Sequence, residues 1–141
     1  MRRTYLDLYA VWPSRTDNPY TPALNNAQKY VASSTLEELL PWSNSTLLKG
    51  DMADAVARIK EQPGKDIVIL GSGELIQSLM PHNLIDEFVL LIYPLVLGTG
   101  RCLFPDGSAY TALRLVSTVT TTTGVVIATY QVSGPAAQMP G

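Results

Sequence analysis

DIVILGSGELIQSLMP, running from Asp66 to Pro81, changes its hydrophobic period once, and that change sets the fold. Ile67 to Leu70 is an apolar run too short for a helix and rich in β-branched side chains, so it predicts a strand buried on both faces. Gly71-Ser72-Gly73 then turns the chain. Leu75, Ile76, Leu79 and Met80 recur at helical spacing until Pro81 stops them. The unit is strand, glycine turn, helix. The first N–H groups of such a helix lack intrahelical partners and carry the positive end of its dipole, so an anion can sit there. Gly71 and Gly73 let the backbone approach a phosphate, and Ser72 can cap the helix or offer its hydroxyl. GSG lacks the third glycine of GxGxxG and the lysine of a P-loop, so a plain structural βα turn accounts for it equally well.

Composition narrows the classes. The chain has 141 residues, 46% hydrophobic and 16% charged, which predicts one domain with a sizeable core. A net charge of −2 and a pI near 5.2, with no basic run, argue against a nucleic-acid footprint. The single Cys102 excludes an internal disulfide and a cysteine metal site; with one histidine besides, no metal centre is expected. Arg2-Arg3 is followed by Asp7, Trp12 and Pro13 instead of an apolar export segment, and the chain reads as cytoplasmic. The longest apolar run, Phe88 to Leu97, contains Pro94 and has about half the length of a membrane span.

Along the chain, Arg3 to Trp12 reads as a helix ended by Pro13, Pro19 to Asn26 as a short helix, and Lys29 to Ser33 as a short strand leading into Ser34-Thr35-Leu36. Glu37 to Ser45 is loop, with Trp42 covering core, and Thr46 to Leu48 is strand. Asp51 is a good N-cap, and Met52, Ala55, Val56 and Ile59 follow at i, i+3, i+4 and i+7. Asp86 to Tyr93 is β-like and leads through Pro94 into Gly98-Thr99-Gly100. Leu113 to Thr122 and Val125 to Val132, joined around Gly124, read as a hairpin. Residues 1–133 form the domain and 134–141 a flexible tail. Strands separated by helices imply parallel crossovers. The expected fold is therefore a three-layer α/β domain whose mixed, mostly parallel sheet ends in an antiparallel hairpin. Ligands of such sheets bind at the strands' carboxyl ends, which puts Gly71 to Glu74, Ser33 to Thr35 and Gly98 to Gly100 on one rim.

Several pieces occur in a telling order: R-x-T-Y at Arg2 to Tyr5, Trp12-Pro13, KYV-x-S-x-TL at Lys29 to Leu36, GSGEL at Gly71 to Leu75, Asp86-Glu87, and YPLVLGTG-x-x-LF at Tyr93 to Phe104. Together they resemble the reductase domain of bacterial riboflavin biosynthesis and its dihydrofolate-reductase-like relatives. The likeness covers about residues 1–132. It implies a dihydrofolate-reductase-like fold that binds NADPH, usually as a homodimer, and transfers hydride to a small heterocycle such as 5-amino-6-(5-phosphoribosylamino)uracil.

Carried onto this chain, the resemblance implies that Arg2 and Thr4 meet the cofactor's phosphates from a helix start. Ser33 and Ser34 match the loop at the adenosine ribose and its 2′-phosphate. Leu70, Gly71, Ser72, Gly73, Glu74 and Leu75 match the second helix start, which cradles the pyrophosphate. Two helix N-termini with an arginine make a plausible clamp for a dianion. The family's domain begins upstream of R-x-T with a strand and a loop containing an SLDG-like sequence, whereas Met1 stands here where the family has glycine. The expectation is an exposed apolar groove, or a partner chain that fills it.

No residue stands out as catalytic acid or base. His82 after Pro81 reads as surface, Cys102 as a small packed side chain, and Asp86-Glu87 as a solvated strand start. Gly98 to Gly100 is either a ligand loop or a bend, and Arg2 either a phosphate ligand or a solvated charge. A non-catalytic nucleotide-binding or dimerisation module is the alternative function.

Overall fold

The computed structural model describes residues 2–33 and 40–134. The chain divides into two compact units, Met1–Leu75 and Ile76–Gly141.

The first unit contains α1 (Arg2–Val11), α2 (Thr21–Asn26), β1 (Lys29–Ala32), β2 (Ser45–Leu48) and α3 (Met52–Glu61). β1 and β2 pair in parallel, Lys29 opposite Ser45 through Ala32 opposite Leu48. Parallel neighbours need a crossover of a dozen residues or so, which the intervening residues 33–44 supply. The core is Tyr5, Val31 and Trp42, with Leu8, Tyr9, Trp12, Leu24 and Leu47 packed around it. Tyr5 also ties the unit together by hydrogen bonding, because its hydroxyl accepts the Trp42 backbone N–H at 3.0 Å.

Lys29 is a second tie. Its Nζ donates to the carbonyls of Leu24 (2.8 Å), Asn25 (3.2 Å) and Ala27 (2.9 Å) and lies 4.7 Å from the Trp42 ring centroid. A cation is thereby placed on carbonyls that the end of α2 leaves without intrahelical donors, and on an aromatic face. Burial pulls its pKa below the ordinary lysine value.

α3 starts where the sequence puts it. Asp51 has extended backbone and its Oδ1 accepts the Asp54 N–H at 3.0 Å, satisfying one orphan donor of the first turn. Asp51→Ala is expected to cost about 1 kcal/mol in urea unfolding, and Asp51→Asn to recover most of it.

The second unit begins within α4 (Gly73–Leu79) and continues through a 3₁₀ turn, Met80–His82, in which Pro81 is accommodated. Its strands β3 (Glu87–Ile92), β4 (Ala112–Thr120) and β5 (Val126–Gly134) form an antiparallel sheet in the order β3-β5-β4. The β4–β5 turn is the expected one: Gly124 has φ +88°, and the Thr121 N–H donates to the Val125 carbonyl at 2.9 Å. A bulge at Val116 separates the pairs Leu115–Tyr130 and Ser117–Thr129. Leu79, Met80, Phe88, Val125 and Ala128 are buried.

The mixed α/β class stands, but the single mostly parallel sheet is corrected: the described strands form one parallel pair and a separate antiparallel trio. The predicted strand at 67–70 is the cause. Residues 66–70 are not in a strand, and Ile67, Val68 and Leu70 are exposed rather than buried. A strand is defined by the ladder beside it, and no described strand lies alongside this one. β5 extends to Gly134, one residue into the expected tail; residues 135–141 lie outside the described residues, as do Ser34-Thr35-Leu36 and the loop residues 37–39.

Candidate functional site

The glycine turn keeps its predicted form although the strand before it does not. Gly71 has φ +73°, a left-handed backbone that glycine adopts without the penalty a Cβ brings. Gly73 opens α4 directly after the turn, and Glu74 sits exposed in the first helical turn, where its charge complements the positive end. Leu75 is half-buried.

What faces this turn is the beginning of another helix. The Ser72 hydroxyl lies 3.3 Å from the Thr4 hydroxyl and, alternatively, donates to the Leu70 carbonyl at 3.3 Å. A Cβ built on Gly71 would meet the Thr4 methyl at 3.7 Å. Thr4 belongs to the first turn of α1. Two helix starts, separated by 68 positions in sequence, therefore converge on one spot within the first unit. Both Ser72 contacts are long for O–H···O bonds, so the hydroxyl is weakly committed and can turn to a stronger acceptor. The partners of the Ser72 hydroxyl are thus Thr4 and the Leu70 carbonyl.

The other predicted site residues distribute unevenly. Arg2 provides the first residue of α1, and its guanidinium lies outside what the structure describes. Ser33 follows β1 and is half-buried, and Ser34 is outside the described residues. Leu70 contributes its carbonyl to Ser72 and has an exposed side chain. Gly98 and Gly100 are exposed bends in the second unit. His82 is exposed, as expected. Cys102 corrects its prediction: it is exposed, within a stretch from Tyr93 to Cys102 that is exposed throughout, so no neighbouring side chains pack over it. Neither the Lys29 contacts nor the Tyr5–Trp42 bond follows from the sequence reading. A lysine shortly after Asn25-Asn26 at a helix end is the available signal for the first.

A phosphate fits these groups. The two adjoining hydroxyls, Ser72 and Thr4, lie beside an exposed glycine at helix starts, groups of the kind that anions select. Among the described residues no three His, Cys, Asp or Glu side chains are grouped to hold a metal ion. No helix among them is long and apolar enough to cross a membrane.

The sequence pattern of the RibD C-terminal domain matches residues 7–127. The chain belongs to the RibD C-terminal domain family. A relative, the uncharacterized protein YyaP of Bacillus subtilis strain 168, is 32% identical over 137 residues, covering 94% of this chain and 72% of that protein. A second uncharacterized protein of the same strain, YwjB, is 42% identical over 62 residues, 44% of this chain and 36% of YwjB. Among solved structures, a Shewanella sp. PV-4 protein provisionally assigned to riboflavin biosynthesis superposes with a TM-score of 0.72 at 24% identity, over 94% of this chain and 71% of that one. At that identity the likeness concerns the fold. The chain spans 72% of YyaP's length and 71% of the Shewanella protein's.

Proposed function

We propose that this RibD-like domain is an NADPH-dependent reductase of the riboflavin-biosynthesis or dihydrofolate-reductase-like type, delivering hydride to a small heterocyclic substrate. The observation that carries the proposal is the meeting of the α1 and α4 starts through Thr4 and Ser72. The cofactor's pyrophosphate would be received by the Gly71 and Gly73 backbone and by the two hydroxyls, with Ser33 and Ser34 toward the adenosine ribose. When bound, the nicotinamide supplies the hydride, and the protein supplies position and electrostatics. The finer elements of the reading are a three-layer dihydrofolate-reductase-like arrangement and a cytoplasmic setting.

The Ser72 hydroxyl exchanges two long neutral contacts for a charged acceptor, which is the direction that favours binding. Glu74 opposes it in part, since its carboxylate shares the helix start with the incoming phosphates.

The test is a fluorescence titration with NADPH. The unmodified protein is expected to shift NADPH emission at micromolar concentrations. Ser72→Ala and Thr4→Val are each expected to weaken binding about tenfold, the loss of one hydrogen bond to a charged group. Gly71→Val should do at least as much, because a β-branched residue at φ +73° must distort the turn. Asp51→Ala, at the start of α3, should leave the affinity unchanged. An unaltered emission spectrum in the unmodified protein would end the proposal, and clear NADPH oxidation with a pyrimidine ribosylamine would exclude a purely non-catalytic module.

A further inference from the structure

Thr4 and Tyr5 are successive residues of α1 with different surroundings. Neighbouring helical side chains diverge by about 100°, so Thr4 turns to Ser72 while the Tyr5 ring enters the core, where it is 4% exposed. There it packs with Val31 of β1 and with Trp42. Packing alone does not call for a tyrosine, since a phenylalanine ring fills the same space. What the hydroxyl adds is a buried bond across 37 positions of sequence, in which it accepts the Trp42 N–H at 3.0 Å. Trp42 lies in a bend before β2, so that N–H takes no part in a strand ladder.

Tyr5 therefore joins three parts of the first unit. It is bonded to Thr4 through the backbone, it packs on β1 through Val31, and it holds the chain returning to β2 through Trp42. β1 ends at Ala32, and Ser33 follows directly. Thr4 and Ser33 are the residues assigned above to opposite parts of one dinucleotide, the first to its pyrophosphate and the second to its adenosine ribose. A ligand made of two linked parts gains from its second contact only where the two half-sites are held at the ligand's own span.

We infer that Tyr5 is a positioning residue, which fixes the separation between the pyrophosphate and ribose half-sites through its hydrogen bond to Trp42 and its packing on Val31; the inference rests on the NADPH reading given above. Tyr5 touches no part of the cofactor and acts through α1 and β1. Removing its hydroxyl leaves the Trp42 N–H buried without its acceptor, a state that the backbone relieves by moving the donor. Tyr9, Lys29 and Asn25 still hold the indole, so the unit stays folded and the adjustment falls on the backbone at Trp42 and on α1. Each half-site survives that adjustment, and their spacing does not.

The experiment compares a ligand that spans both half-sites with fragments that reach only one. NADPH is titrated by fluorescence, and inorganic pyrophosphate and adenosine 2′-monophosphate by ligand-observed nuclear magnetic resonance, on the unmodified chain, Tyr5→Phe and Asp51→Ala. Tyr5→Phe is expected to bind NADPH about tenfold more weakly and both fragments as the unmodified chain does. Asp51→Ala, which removes a comparable hydrogen bond far along the chain from both half-sites, controls for stability and should match the unmodified chain throughout. A purely structural role for Tyr5 would weaken the fragments together with NADPH, and that result overturns the inference. An NADPH affinity unchanged in Tyr5→Phe overturns it as well, while the reductase reading stands. A fragment that the unmodified chain does not take up at millimolar concentration shows that the half-site is absent, with the same consequence. An unmodified chain that binds no NADPH ends the reductase reading and this inference with it.

Discussion

Trp42→Ala is expected to destabilise the first unit by about 3–5 kcal/mol, the range for emptying a buried aromatic site. The indole is 4% exposed and stands about 6 Å, centroid to centroid, from Tyr5 (6.2 Å) and Tyr9 (6.1 Å). Its removal leaves a cavity beside two rings that are themselves stacked. It also deprives Lys29 of its aromatic face and Asn25 of a donor, since Trp42 Nε1–H bonds Asn25 Oδ1 at 2.7 Å. A loss of this size is a large part of the roughly 5–15 kcal/mol that holds a typical domain folded. Trp42→Phe separates the contributions. It keeps most of the packing and loses the N–H, and is expected to cost roughly 1–3 kcal/mol, chiefly through the unsatisfied Asn25 oxygen. Urea unfolding followed by far-ultraviolet circular dichroism measures both, and equal effects of the two variants would refute this account.

Phe88→Ala is the corresponding experiment in the second unit, with an expected cost of about 3–4 kcal/mol. Phe88 is 5% exposed, and its ring meets Phe104 edge to face at 5.6 Å between centroids. It borders a small crevice with Met80, Asn83, Ile85, Thr111 and Val132, so truncation enlarges a space already present. Phe88→Leu should cost less than half as much. Thermal melting of the two variants checks the ordering, and a Phe88→Ala protein as stable as its parent would show that the site relaxes.

The sequence is most legible where a signal is local. Asp51 capping α3, Gly124 turning the hairpin and Pro13 closing off α1 each act through their own backbone, and each is found where expected. Residues 66–70 fail because burial on both faces needs neighbouring strands, a non-local condition that apolar composition cannot state. The bulge at Val116 is illegible for the same reason: pairing register belongs to two strands at once. Of the candidate site, the glycine turn can be read from GSG alone. Its juxtaposition with Thr4 cannot, and enters only through the order of motifs that resembles a family. Lys29 escapes because its three carbonyl partners are assembled by the end of α2 and not by the strand that carries it.

Residues 66–70 carry an aggregation hazard. Ile67, Val68 and Leu70 expose apolar, largely β-branched side chains on backbone without a ladder, the composition that seeds intermolecular cross-β stacking and aggregation. Lys65 and Asp66 stand immediately before it and Gly71, in its left-handed conformation, immediately after. Those flanks act as gatekeepers: charges repel a stacked neighbour at one end, and a reversal of backbone hand ends the run at the other. Removing the Lys65 and Asp66 charges is therefore expected to raise the tendency of the chain to aggregate.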